Sequence, residues 1–167
     1  MSAAVRILGL DPGLRHFGYA VVDCSAGWQE ILAVGELSYT MTDSGELGSI
    51  LHEIQQLLEK WAPDEAAIEA VYFSLNRRTA FTVAKACGVA IAAAEQNGVV
   101  CYEYTPTEIK QSLTGYGKSD KDQVRRVLVH RFGIQESISS HEADAIATAI
   151  CHANSRWRYA VDRANDK

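Results

Sequence analysis

Residues 6–23 read RILGLDPGLRHFGYAVVD. Ile7-Leu8-Gly9-Leu10 is an apolar run of the kind that forms a strand buried on both faces. It ends in Asp11, and Pro12-Gly13 break the regular backbone at once. Strand-like residues resume from His16 to Asp23, close enough to be an antiparallel neighbour. A carboxylate beside a buried strand is unfavourable unless a positive group compensates it. Asp11 therefore reads either as a turn former or as one ligand of a metal or phosphate site.

Outward from this hairpin, Gln29–Ser38 is a third strand-like run, completing a meander. The period then changes: Leu47, Ile50, Leu51, Ile54, Leu57, Leu58 and Trp61 recur at helical spacing, closed by Pro63. EAAIEAVYF, residues 65–73, reads as a short strand interrupted by Glu69. An Ala-rich helix over 76–97 follows, then the strand VVCYEY at 99–104. Thr105-Pro106-Thr107-Glu108 has the form of a helix start, with a cap, proline at the first position and Glu three residues after the cap. Ser119 is read as the cap of a further helix whose apolar face is Val124, Val127, Leu128 and Phe132. Ser139 and Glu142 form a second capping box, opening the helix of Ala143, Ile146, Ala147 and Ile150. The order β-β-β-α-β-α-β-α-α-α predicts a three-layer α/β domain with a mixed five-stranded sheet. One domain is expected over 1–155, with a flexible tail over 156–167.

The chain has 167 residues, 47% of them hydrophobic, which suits one ordered globular domain. No apolar run approaches the ~20 residues that cross a bilayer, and the N-terminus lacks the features of a signal peptide. Cys24, Cys87, Cys101 and Cys151 are far apart without metal-type spacing, as expected of reduced thiols in a cytoplasmic protein. The net charge of −5 argues against a general nucleic-acid binder, but the charge is uneven. Residues 1–75 hold three Lys/Arg against eleven Asp/Glu, whereas 76–131 hold nine against five. Such a basic segment marks either an anionic partner or a solvated helix face.

Asp11 and Glu69 lie at or near the ends of two strands, where sites form in α/β sheets. His141 and Asp144 are three apart on the last helix, within about 60° on one face near its N-terminus. Taken singly, Glu69 is also an ordinary strand-end acid, Asp144 a favourable charge for the helix dipole, and His141 a surface residue. Taken together, the four are placed to converge, and three converging carboxylates repel unless cations join them. Hard oxygen ligands suit Mg²⁺ or Mn²⁺.

The segments ILGLDPGLRHFGYAVVD, AIEAVYFSLNRRTAFTVAKACGVAIAAA, YEYTPTEIKQSLTGYGKSDKDQV and HEADAIATAI, in that order over residues 5–153, resemble the RuvC-type Holliday junction resolvases. The resemblance implies a ribonuclease H-like fold, a homodimer and a metal site of Asp11, Glu69, His141 and Asp144. It implies two Mg²⁺ ions, replaceable by Mn²⁺, and hydrolysis of DNA to 5′-phosphate and 3′-hydroxyl ends by paired nicks across a four-way junction. It also implies partnership with a branch-migration complex of the RuvA and RuvB type.

Asp11 is expected to bridge the metals, with His141 acting as ligand or proton carrier. Lys110 and Lys121 fall at basic positions that contact DNA in the family, and Lys118 joins them as a candidate. Tyr72 and Phe73 stand where the family stacks an aromatic on unpaired bases, with Tyr72 preferred and Arg77 and Arg78 on nearby phosphates. Two departures stand out. Many relatives carry Asp in place of His141, so the neutral imidazole is expected to shift relative preference towards Mn²⁺. Phe17 replaces a hydroxyl residue and bears on packing behind Asp11.

The alternatives are a ribonuclease H-like enzyme for RNA or another branched nucleic acid, an actin-like ATPase domain, and a catalytically inactive DNA-binding module. The second needs two such domains, and the intact acidic set opposes the third.

Overall fold

The computed structural model describes residues 4–13, 15–25, 27–38, 47–71 and 77–165; of these, the side chains of 77–79 and 157–165 are outside the description. The elements are β1 (Val5–Pro12), β2 (His16–Ser25), β3 (Trp28–Ser38), α1 (Leu47–Trp61), β4 (Glu65–Glu69), α2 (Arg77–Gln96), β5 (Val100–Tyr104), α3 (Pro106–Thr114), α4 (Lys121–Phe132) and α5 (Ser140–Asn165). This is the order expected from the sequence.

The five strands lie in the order β3-β2-β1-β4-β5. β1 pairs antiparallel with β2 and parallel with β4, β2 antiparallel with β3, and β4 parallel with β5. The sheet is mixed, with β1 at its centre. The period of two along each strand then sorts side chains between two cores. Leu8, Leu10, Phe17, Val21, Ala66 and Ile68 face α1 and α2. Ile7, Ala20, Val22 and Ala67 face the layer of α3, α4 and α5. Asp11 shares the parity of Ile7, and Glu65 and Glu69 that of Ala67, so strand alternation directs these acids towards α5.

Helix α5 is apolar through its middle because it is covered on every side: Ala145, Ile146, Ala147, Ala149, Ile150, Cys151 and Ala153 are buried. It sits unusually close to the sheet. A Cβ at Gly9 would lie 2.3 Å from the Ala145 carbonyl oxygen, and one at Gly18 would lie 2.1 Å from that of His141. Glycine at both positions lets the helix descend until its first turn reaches the end of β1.

Two capping boxes are as expected. Thr105 accepts from the Glu108 amide while the Glu108 carboxylate accepts from the Thr105 amide. Ser139 and Glu142 do the same at α5. The cap of α4 is corrected by one residue. Asp120, not Ser119, exchanges bonds with Gln123, at 2.7 and 2.9 Å. Ser119 is buried, its hydroxyl shared with Thr114 and the Tyr116 carbonyl. Strand β4 ends at Glu69, short of the aromatic pair, and Tyr72 and Phe73 lie outside the described residues. Phe17 is fully buried behind Asp11, as its place beside Pro12 in the hairpin requires. Arg156, placed beyond the domain end by the sequence, lies within α5 and pairs with Glu65.

Candidate active site

The site forms where β1 and β4 end beneath the first turn of α5. Asp11, one residue before the end of β1, is only 8% exposed. Its Oδ2 lies 2.7 Å from His141 Nδ1. Lys121, the first residue of α4, donates from Nζ to Asp144 Oδ2 at 2.8 Å. Glu69 closes β4 and lies in the field of both aspartates.

The titration directions describe the field. Burial, then the Asp11 and Asp144 charges, push the Glu69 carboxyl up to about 7, against relief from Lys121 and Lys110. Asp11 is also raised, chiefly by burial and further by Asp144, although the His141 bond works the other way. His141 is raised by its bond to Asp11 despite partial burial. Lys121 is raised by its bond to Asp144. Three carboxylates are thus held in a partly buried place, and His141, Lys121 and Lys110 offset burial and mutual repulsion only in part.

This arrangement suits a divalent cation. The donors are three carboxylates and an imidazole, the set expected for Mg²⁺ or Mn²⁺. Burial first, and the neighbouring carboxylates second, raise the Asp11 and Glu69 carboxyls, and an added cation would offset both. Among the described residues, no three His, Cys, Asp or Glu side chains form a ready-made cage; Asp11 engages His141 and Asp144 engages Lys121. The Lys121 side chain is largely exposed, so its pair with Asp144 is weak and readily exchanged.

The structure thus brings Asp11 and His141 into direct contact and sets Asp144 and Glu69 within their field. Lys110, half-buried on α3, reaches the same field, and Lys118 is exposed in the turn before α4. Arg77 and Arg78 open α2, with side chains outside the description. Sequence reasoning missed an outer group. His16 Nδ1 lies 3.1 Å from Glu36 Oε2, Ser139 Oγ donates to Glu36 Oε1, and the His16 ring lies over that of His141. No motif marks Glu36; only the strand register, which places it opposite Gly18, brings it here.

Comparison with known proteins gives a consistent answer. The family model described as crossover junction endodeoxyribonuclease RuvC matches residues 7–152. A protein of that name from Caldicellulosiruptor saccharolyticus is 37% identical over 152 residues, covering 89% of this chain and 92% of its own. One from Brevibacillus brevis is 39% identical over 158 residues, covering 91% and 93%. Among solved structures, T. thermophilus RuvC in complex with Holliday junction substrate superposes with a TM-score of 0.83 at 29% identity, covering 91% of this chain and 94% of that one. The yeast mitochondrial Holliday junction resolvase Ydc2 shares the fold, with a TM-score of 0.67 at 14% identity over 95% and 84%. The ribonuclease H-like architecture expected from the sequence is the one observed.

Proposed function

This chain belongs to the RuvC family of crossover junction endodeoxyribonucleases, and we propose that it resolves four-way DNA junctions by paired symmetric nicks. The observation that carries the reading is the gathering of Asp11, paired with His141, and Asp144, paired with Lys121, where β1 and β4 end beneath α5, with Glu69 in the same field. Support comes from the relatives' names and from the junction complex of the Thermus protein.

Asp11, Glu69 and Asp144 are the residues that would hold two divalent cations, Mg²⁺ or Mn²⁺. Bound there, the cations supply activation of water and stabilisation of the leaving 3′-oxygen, giving 5′-phosphate and 3′-hydroxyl ends. Asp11 orients His141 through Nδ1, leaving Nε2 as the ring nitrogen available to ligate or to carry a proton. Lys121 neutralises Asp144 and is exchangeable on to a DNA phosphate. Lys110 and Lys118 add charge that sets affinity and register without reading bases. Tyr72 and Phe73 are assigned to stacking at the junction centre, and Arg77 and Arg78 to phosphates beside it. A two-fold homodimer matches the two-fold symmetry of the substrate and the need for two opposed nicks. A branch-migration complex in the cytoplasm is its proposed partner. No helix among the described residues is long and apolar enough to cross a membrane.

The test is strand-resolved cleavage of a static four-way junction, a linear duplex and an RNA–DNA hybrid, each end-labelled. The reading predicts symmetric nicks in the junction alone, with ends that a ligase reseals directly. Preferential cutting of the hybrid would replace it with a ribonuclease activity.

A further inference from the structure

Resting on this nuclease reading, we infer that His16 and Glu36 form a positioning pair that sets the orientation of the His141 ring. An imidazole held by one hydrogen bond can still turn, because the torsion that rotates the ring is soft. With Nδ1 engaged by Asp11, that rotation decides where Nε2 points, and Nε2 is the nitrogen left for chemistry.

The surroundings remove this freedom on three sides. Asp11 fixes Nδ1 at 2.7 Å. Gly13 lies against the ring edge so closely that a Cβ there would stand 2.6 Å from Cε1. The His16 ring covers one face, with centroids 5.9 Å apart and planes 27° from parallel, within the range of favourable aromatic pairing. His16 is itself anchored. Its Nδ1 meets Glu36 Oε2 at 3.1 Å, and the Gly13 amide donates to its carbonyl at 3.0 Å, fixing the turn on which it stands.

Glu36 has a second attachment. Its Oε1 accepts from the Oγ of Ser139, two residues before His141, and that hydroxyl in turn accepts from the amide of Glu142, one residue after it. One carboxylate on β3 thereby holds both the ring that covers His141 and the helix cap that carries His141. This is the outer support that site imidazoles commonly need. An aspartate in place of His141 would present no ring for His16 to cover.

The test compares His16→Ala, His16→Phe, His141→Asp and the His16→Ala/His141→Asp double variant. The His16 side chain is about half exposed, so its removal leaves the core intact. In single-turnover junction cleavage at saturating enzyme, His16→Ala is expected to slow cutting by about ten- to a hundredfold, with junction binding in Ca²⁺ unchanged. His16→Phe, which keeps an aromatic face but loses the Glu36 contact, recovers only part of that loss. In the His141→Asp background the His16→Ala change has no further effect. A second readout needs no turnover: the His141 ring protons give one sharp set of NMR signals in the metal-free protein and broadened or shifted signals in His16→Ala. A wild-type protein that cuts no junction would defeat the nuclease reading, while the NMR arm still decides the positioning role. Unchanged ring signals, or an equal loss of rate in both backgrounds, would overturn it.

Discussion

Strand β4 and helix α5 carry two acidic clusters, one at each end, and the two are built on opposite terms. Glu69 closes β4 and faces the first turn of α5, with Asp11, His141 and Asp144. Glu65 opens β4 and meets α5 further along, with His152 and Arg156. The second cluster is closed. Arg156 pairs with Glu65 through Nε and Nη2. His152 Nε2 lies 2.7 Å from Glu65 Oε2, and its Nδ1 lies 2.7 Å from Tyr104 Oη. The ring of Tyr102 stacks on it at 4.4 Å.

Burial pushes Glu65 up, but the Arg156 and His152 bonds together outweigh it and its carboxyl ends below the usual range. Burial holds His152 below its ordinary value, which favours the neutral ring. That ring donates from Nε2–H to the carboxylate and accepts the Tyr104 hydroxyl at Nδ1. At the other end, Asp11 and Glu69 are both raised, and the compensating groups fall short. A charge set completed by its own chain is architecture. One left incomplete at a strand end is where an outside cation is expected.

The change expected to disturb the open end most is Gly18→Ala. Its methyl would stand 2.1 Å from the His141 carbonyl oxygen, so the first turn of α5 must lift. Cleavage should fall about a hundredfold, and unfolding in urea should show a loss of about 2–3 kcal/mol. At the closed end, Glu65→Gln leaves Arg156 without its counter-charge. A loss of about 2–3 kcal/mol is expected, read from the same urea titration, with cleavage intact below the unfolding transition.

The two ends respond to pH in opposite directions. The Glu69 carboxyl titrates at about 7 in the fold against 4.5 ordinarily. The folded state binds that proton more tightly, so this group's contribution to stability falls as pH rises from 4.5 to 7. Glu65 and His152, both lowered, act in the opposite sense. Their stabilisation is present above the ordinary values of 4.5 and 6.5 and is lost as pH falls below them. In chelator, Glu69→Gln should therefore raise the melting temperature at pH 7 by a few degrees, roughly the shift that 1 kcal/mol produces, and by much less at pH 4.5. The smallest effect is expected from Lys110→Ala, which should weaken junction binding and reduce the slope of log affinity against log salt by about 0.9.

Much of this was legible in the sequence, for identifiable reasons. The element order followed from periodicity that changes cleanly between strands and helices. Asp11, Glu69, His141 and Asp144 each sit at an element end within a short motif, so the resemblance carried them as a set. The supports were not legible, because their partners are joined by register and helix placement. Glu36 reaches His16 and Ser139 only through the β2–β3 pairing and the seating of α5. Glu65 reaches His152 and Arg156 only because α5 runs back along β4, 87 and 91 residues later. The misplaced cap has a local cause. Ser119 and Asp120 are both capping residues, and the position three before Gln123 selects the second.

The contrast between the ends is tested most directly by junction cleavage with wild type, Asp11→Asn and Glu65→Gln side by side, in Mg²⁺ and then in Mn²⁺. Wild type and Glu65→Gln are expected to give paired nicks, faster in Mn²⁺ than in Mg²⁺, and Asp11→Asn none in either metal. Cutting by Asp11→Asn, or its loss in a folded Glu65→Gln, would contradict the assignment of the open cluster as the site of reaction.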